Sequence, residues 1–355
     1  MFVQLPAQSL SDKYAARLTR PAGYVCYQTE TPIEVDGLDR ETSWQKATPT
    51  DAFVDISGHD FPKPRYHTAV KMLWDEDCLY IFAQLEEPHI WANLCKRDTI
   101  VFYDNDFEVF IDPTGDGHDY FEIETNATGT IFDLSLPRPY RAPHRPFIQF
   151  QWNCPGLKLA THHRGTLNHP ADRDKGWSVE MAIPREAIAG EFDNYLKAGN
   201  YLRINFSRVE WQFDLNGTTY GRKKGADGKY LPEDNWVWTP TGQVAMHMPE
   251  RWGYLYLSGE KAGRQAEAFR YPEDEPARRF LWMLFYAQEE QYAKNRTYHN
   301  GLAGFNLSGK DRRLLPAGYE VRVEATRHTY EITATAPGGK EYVINESGRC
   351  FDRRP

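Results

Sequence analysis

Along the middle of the chain, apolar and polar residues alternate in short runs separated by turn formers, and each run reads as a strand. Residues 68–73 are followed by the turn Trp74-Asp-Glu-Asp77 and a return strand, 78–85. In that strand Leu79, Ile81, Ala83 and Leu85 alternate with Cys78, Tyr80, Phe82 and Gln84. Both faces are largely apolar, which puts it centrally in a sheet. Residues 106–112 and 120–126 also alternate, joined by Pro113-Thr-Gly-Asp-Gly-His118, a run of turn residues. Phe107, Val109 and Ile111 must then share a core with Phe121 and Ile123, because a slip of one residue would turn a whole set toward water. The opposite face collects Asp106, Glu108, Asp112, Glu122, Glu124 and Asn126, with one exposed aromatic, Phe110. Residues 177–183 alternate and stop at Pro184. Residues 201–209 set Leu202, Ile204 and Phe206 against Arg203, Asn205 and Ser207, and 242–248 and 253–257 complete the series. Short strands with turn signals and little helix predict a β-sandwich, with Val109, Ile111, Phe121, Ile123, Val179, Met181 and Ile204 in its core.

Beyond residue 258 the pattern changes. Residues 258–276 are charged, contain Gly and Ala, and read as a linker. Asp274-Glu-Pro276 is a helix start, and Leu281, Leu284, Phe285, Gln288 and Tyr292 follow at helical spacing. Three strands come next, 319–325, 329–335 and 341–345, the last two joined by Ala336-Pro-Gly-Gly-Lys340. One helix on a small antiparallel sheet makes a small α+β unit in which Trp282, Phe285 and Tyr286 form a packing face. The expected division is an N-terminal arm (1–23), the sandwich (24–258), a linker (259–275) and the C-terminal unit (276–355).

Composition narrows the function. The 355 residues carry a net charge of -8 without a Lys/Arg stripe, which argues against nucleic acid as a partner. No apolar run is long enough to cross a bilayer. Aromatic residues make up 14% of the chain, a richness suited to ligand surfaces and to sandwich cores alike. The five cysteines form no CxxC pair, so zinc is not indicated; one or two disulfides stay open. The opening Met1-Phe-Val-Gln-Leu-Pro6 lacks the regions of a signal peptide, so either the protein is cytoplasmic or a leader has been removed.

Five phrases, in order, resemble the family 9 carbohydrate-binding modules. They are Ile33-Glu-Val-Asp-Gly37 with Trp44 and Ala47; Asp104-Asn-Asp-Phe-Glu-Val-Phe-Ile-Asp-Pro113 with Tyr120-Phe-Glu122 and Asn126; Gly176-Trp-Ser-Val-Glu-Met-Ala-Ile-Pro184; Arg203-Ile-Asn-Phe-Ser-Arg208; and Trp236-Val-Trp-Thr-Pro240 through His247-Met-Pro-Glu-Arg-Trp-Gly253. The resemblance covers residues 24–258 and implies a mainly β, DOMON-like antiparallel sandwich that binds polysaccharide or oligosaccharide in bacterial glycan utilisation. It favours a removed leader and a periplasmic, cell-surface or secreted location, with a cytoplasmic one left open.

Sugars present flat CH faces and many hydroxyls, which aromatic rings and paired polar side chains satisfy. The family's two sandwiching rings map best onto Trp236 or Trp238 and onto Trp91, with Glu108, Glu122 and Arg208 as polar partners. In a regular strand Arg208 faces the core side, where a charge must be paired, unless a bulge turns it to water. Asp112-x-Thr114-x-Asp116-Gly117 starts like an EF-hand loop, but Ile123 stands where the bidentate Glu belongs. A looser calcium site on Asp112 and Asp116 remains, against solvated turn acids; otherwise no cofactor is required. His162-His163 reads as a solvated loop, and Met246-His247-Met248 invites a haem, against which neighbours on a strand point to opposite faces and no CxxCH is present. Two further readings accompany sugar binding: a glycoside hydrolase or polysaccharide lyase using Glu108, Glu122 or Glu124, and a module that docks a protein partner through its C-terminal unit.

Overall fold

The computed structural model describes residues 8–143, 147–189 and 195–353, so the reading of Met1–Pro6 lies outside the described residues. The first strands are β1 Gly23–Gln28, β2 Val54–Asp55, β3 Thr68–Trp74, β4 Cys78–Leu85, β5 Asp106–Asp112, β6 Tyr120–Asn126 and β7 Ile131–Leu136. They are followed by β8 Lys158–His163, β9 Trp177–Pro184, β10 Tyr201–Glu210, β11 Phe213–Asn216, β12 Thr219–Arg222, β13 Asp234–Val237 and β14 Gly253–Lys261. Local chemistry makes the hairpins. Asp75 Oδ1 accepts the N–H groups of Asp77 (2.9 Å) and Cys78 (2.8 Å), which closes the β3–β4 turn.

The sheet runs β7-β6-β5-β10-β14-β1-β3-β4-β9-β8, with β13 on β10 and β2 on β13. It curls over, so that Val109, Ile111, Ile123 and Ile204 from one half meet Ile81, Val179 and Met181 from the other in one buried cluster, with Phe121 packed against it. That is the expected sandwich core, in the expected register: Val109 lies opposite Ile123 and Ile111 opposite Phe121. The pairings are antiparallel except at the seam, where β1 runs parallel to both β14 and β3.

A long helix, Glu275–Asn295, opens with Pro276 in its first turn and ends at Arg296 in the left-handed region (φ 57°). Leu281, Leu284, Phe285 and Tyr286 pack with Ile332, Ala334 and Ile344 of a four-stranded sheet, β15 Glu320–Ala325, β16 Tyr330–Thr335, β17 Glu341–Asn345 and β18 Cys350–Arg353.

Several expectations need correction. Residues 242–248 are not a strand: Gly242 sits at φ 87° and the Trp252 indole N–H donates to the Met246 carbonyl (2.8 Å), which holds the segment as an irregular flap. His162 and His163 lie in strand β8, not a loop, and His163 Nε2 reaches the Ala127 carbonyl at 2.6 Å. Phe110 is 1% exposed, because Tyr120 and Trp252 pack over it. The carboxylate face around it is buried as well. Strand β14 runs on to Lys261, three residues into the stretch read as a linker, and β18 was not foreseen. All five cysteines are free thiols.

Candidate functional site

Strand register builds a hollow on the face of β7, β6, β5 and β10 that points away from the main core. Glu108 lies opposite Glu124 and beside Ser207, and Phe110 lies opposite Glu122. Leu134 and Phe132 of β7 stand opposite Glu122 and Glu124. Over this floor close the Val244–His247 flap, Ile100, Phe102, Tyr140 and Phe150, leaving about 470 Å³. Tyr140 and Phe150 are 49% and 50% exposed, so the rim offers aromatic faces to solvent while the acids lie at the bottom.

No Lys or Arg among the described residues pairs with Glu108, Glu122 or Glu124. Burial therefore dominates their titration. It pushes Glu108 up to about 7 and, with the Glu108 charge added, Glu122 to about 8. Glu124 and Asp106 are raised further in the same way. His247 lies 3.9 Å from Glu122, but burial pulls it down to about 3, so the pair is neutral. Its ring meets Tyr140 edge-on at 4.2 Å, and its Nδ1 shares a proton position with the Tyr120 hydroxyl at 2.9 Å. A protonated carboxyl both donates and accepts, as a sugar hydroxyl does, and such acids can match hydroxyls without a buried negative charge. Asp106, Glu108 and Glu124 also bring oxygens within 4.8 Å of one another, an all-oxygen set of the kind hard cations use.

The other sequence candidates lie elsewhere. Arg208 is on the core face, as its strand parity requires, and it is fully paired. Its Nη2 donates to Glu87 Oε2 and Glu210 Oε2 (2.9 Å each) and its Nη1 to Thr68 Oγ1 (3.0 Å). Asn105 bridges the same two glutamates. Trp236, opposite Arg208 in the ladder, is 2% exposed, edge-on to Tyr66 with the Arg208 guanidinium over its ring. Trp238 is buried against Phe206 and lies so close to Gly253 that a Cβ there would stand 2.2 Å from the indole. Trp91 is buried too, stacked on Tyr220. Thus Glu108 and Glu122 share a hollow, while Arg208, Trp236, Trp238 and Trp91 are no part of it and none is an exposed platform.

Asp112 and Asp116 are not in the three-carboxylate cluster. Asp112 caps its own loop, accepting the N–H groups of Thr114 (3.1 Å), Gly115 (2.8 Å) and Gly117 (2.8 Å) and the Thr114 hydroxyl. Asp116 takes Arg349 Nε (2.8 Å), and its carbonyl takes the Cys350 N–H (2.8 Å). These oxygens are occupied by protein donors, and the loop serves as a clasp on the C-terminal unit. The rim residues Tyr140 and Phe150 escaped the sequence reading because they lie in irregular segments, where periodicity carries no signal.

Residues 35–144 match the family model described as carbohydrate family 9 binding domain-like, a span that includes Glu108, Glu122, Glu124 and Tyr140. Among solved structures, a candidate carbohydrate-binding protein from Bacteroides uniformis shares 16% identity over 67% of this chain and 99% of its own (TM-score 0.48). A family 9 carbohydrate-binding module from Caldicellulosiruptor kristjanssonii in complex with cellotriose shares 13% over 69% and 100% (TM-score 0.42). One from the same organism in complex with glucose shares 12% over 68% and 100% (TM-score 0.41). No curated protein matches the chain. Over the matched residues and in its mainly β fold, the chain resembles the family 9 carbohydrate-binding modules.

Proposed function

We propose that the chain binds carbohydrate in the acid-floored hollow. The carrying observation is the pairing of half-exposed rings, Tyr140 and Phe150, with three buried glutamates whose carboxyls burial raises to neutral pH or above. The rings suit the CH face of a sugar and the acids its hydroxyls. The family match over residues 35–144 supports the same reading. It needs no cofactor. The ligand class implies work on polysaccharide or oligosaccharide in bacterial glycan utilisation, outside the cytoplasm. No helix among the described residues is long and apolar enough to cross a membrane. The free thiols make no demand on an oxidising compartment.

Calorimetric titration of glycan-array hits and of cellotriose tests this. Tyr140→Ala should weaken binding by about tenfold or more, the worth of one stacked ring, with the melting temperature unchanged. Unchanged affinity in Tyr140→Ala, Phe150→Ala and Glu122→Gln would place the site elsewhere, and an array without hits would remove the reading. A second reading, a glycan-active enzyme, is favoured by Glu108 and Glu122 titrating near neutrality in a cleft. New reducing ends that disappear in Glu108→Gln or Glu122→Gln would select it.

A further inference from the structure

We propose that the cavity between the sandwich and the C-terminal unit is a second binding site, for a monosaccharide-sized ligand that carries an oxyanion. The cavity encloses about 460 Å³, and Arg203 and Arg251 line it together with the rings of Tyr201, Tyr254 and Trp282. This is the size of an ordinary small-molecule pocket.

Both arginines are more than nine-tenths buried, at 6% and 3% exposure. Neither has a carboxylate partner among the described residues. Among the described residues Arg203 donates from Nη2 to the Glu250 carbonyl at 2.6 Å, and its Nε is buried without a partner. Its guanidinium carbon lies 3.8 Å from the centroid of the Tyr254 ring. The ring takes the guanidinium's face, whereas its N–H donors lie in the guanidinium plane. Arg251 donates to the carbonyls of Arg17, Thr19 and Pro240, and its Nε is also buried and unpartnered. Burial lowers its pKa, the response of a cation short of counter-charge.

The acids lining the cavity do not supply that charge, because cations already hold each of them. Glu250 pairs with Arg141, and Glu275 with Arg20 and Arg279. Asp274 pairs with Arg278, and Asp352 with Arg278 and Lys340. Two buried guanidiniums are left as surplus positive charge in a chain whose net charge is -8. A buried charge costs heavily unless it is paired. A planar fork of N–H donors is the arrangement that recognises carboxylate, phosphate or sulfate. The neighbouring rings give the body of a sugar acid or sugar phosphate an apolar wall.

The test is titration of the full chain with inorganic sulfate, glucuronate and glucose 6-phosphate, with glucose as the neutral control, followed by calorimetry and by thermal melting. At least one anionic probe should bind saturably and raise the melting temperature. In Arg203→Gln its affinity should fall about tenfold or more, the loss of a charge-assisted contact. The unliganded Arg203→Gln variant should melt no lower than wild type, because an uncompensated charge has gone; a merely structural arginine would lower it. Tyr140→Ala, which touches only the other hollow, should leave anion binding intact, and that separates this site from the proposed sugar site. No saturable binding of any anionic probe up to about 10 mM, or binding undiminished in a folded Arg203→Gln, overturns the proposal. Should Arg203→Gln fail to fold, the wild-type titration alone decides.

Discussion

The two ends of strand β10 each bury an arginine, and their surroundings differ. Arg208 donates to Glu87, Glu210 and Thr68 while Asn105 bridges the two glutamates, so every group in the network has a partner, and burial beside Glu87 raises the second carboxyl, Glu210, well above its ordinary value. Arg203, five positions earlier, has one carbonyl and one ring. The acid-floored hollow, on the sheet face that Arg203 shares with Ser207, shows a third solution, in which acids without cations rise in pKa. The difference teaches how to read burial: complete pairing serves a structural network, and incomplete pairing is where a ligand would meet unmet charge and donors.

Substitution can break or sharpen that comparison. Arg208→Gln should be the most damaging, costing about 3–5 kcal/mol by leaving Glu87 and Glu210 facing each other unpaired. Urea denaturation of this variant beside Arg203→Gln measures the contrast directly, and equal losses would dissolve it. Trp236→Ala should cost about 3–4 kcal/mol as a core truncation and leave glycan affinity unchanged. A weakened affinity without a change in melting would return that ring to the sugar site.

The hollow predicts a pH signature. Glu122 titrates at about 8 when folded against 4.5 as its ordinary value. Its protonated form therefore contributes stability that is full below 4.5, declines as pH rises and is gone above about 8. Glu122→Gln keeps the uncharged shape at every pH. Its melting temperature should match wild type in acid and exceed it increasingly as pH rises toward and above 8. A constant offset across the series would contradict the assignment. The smallest effect belongs to the clasp. Arg349→Ala should cost about 0.5 kcal/mol, since its pair with Asp116 is nearly half exposed and screened. Adding calcium or a chelator should not move that variant relative to wild type.

Much of this was legible in the chain. Strict alternation on β5 and β6 set their register, and with it the gathering of Glu108, Glu122 and Glu124 on one face. Alternation tells which side a residue takes, not what covers that side. Hence Phe110 and its acids read as exposed, although Tyr140, Phe150 and the 244–247 flap lie over them. Arg208 was expected either paired or turned to water, and only its distant partner, Glu87, decides the matter. The aspartates of the 112–117 loop have the composition of a cation loop, and it took the folded chain to show Arg349 and backbone donors on their oxygens. Strand β18 is short and half charged, so its pairing with β17 left little trace in hydropathy.

The parallel seam has a bearing on how the chain is made. Strand β1 pairs with β3 and, along most of its length, with β14, with Gly23 beside Tyr254, so the segment that opens the sandwich waits for the one that closes it. Contacts of such sequence separation form slowly, because a long loop must close before they return any energy. The β3–β4 and β5–β6 hairpins can assemble during synthesis. Closure of the sandwich cannot, and until residue 261 has emerged the nascent sheet keeps open edges for chaperones, or for neighbouring chains, to find.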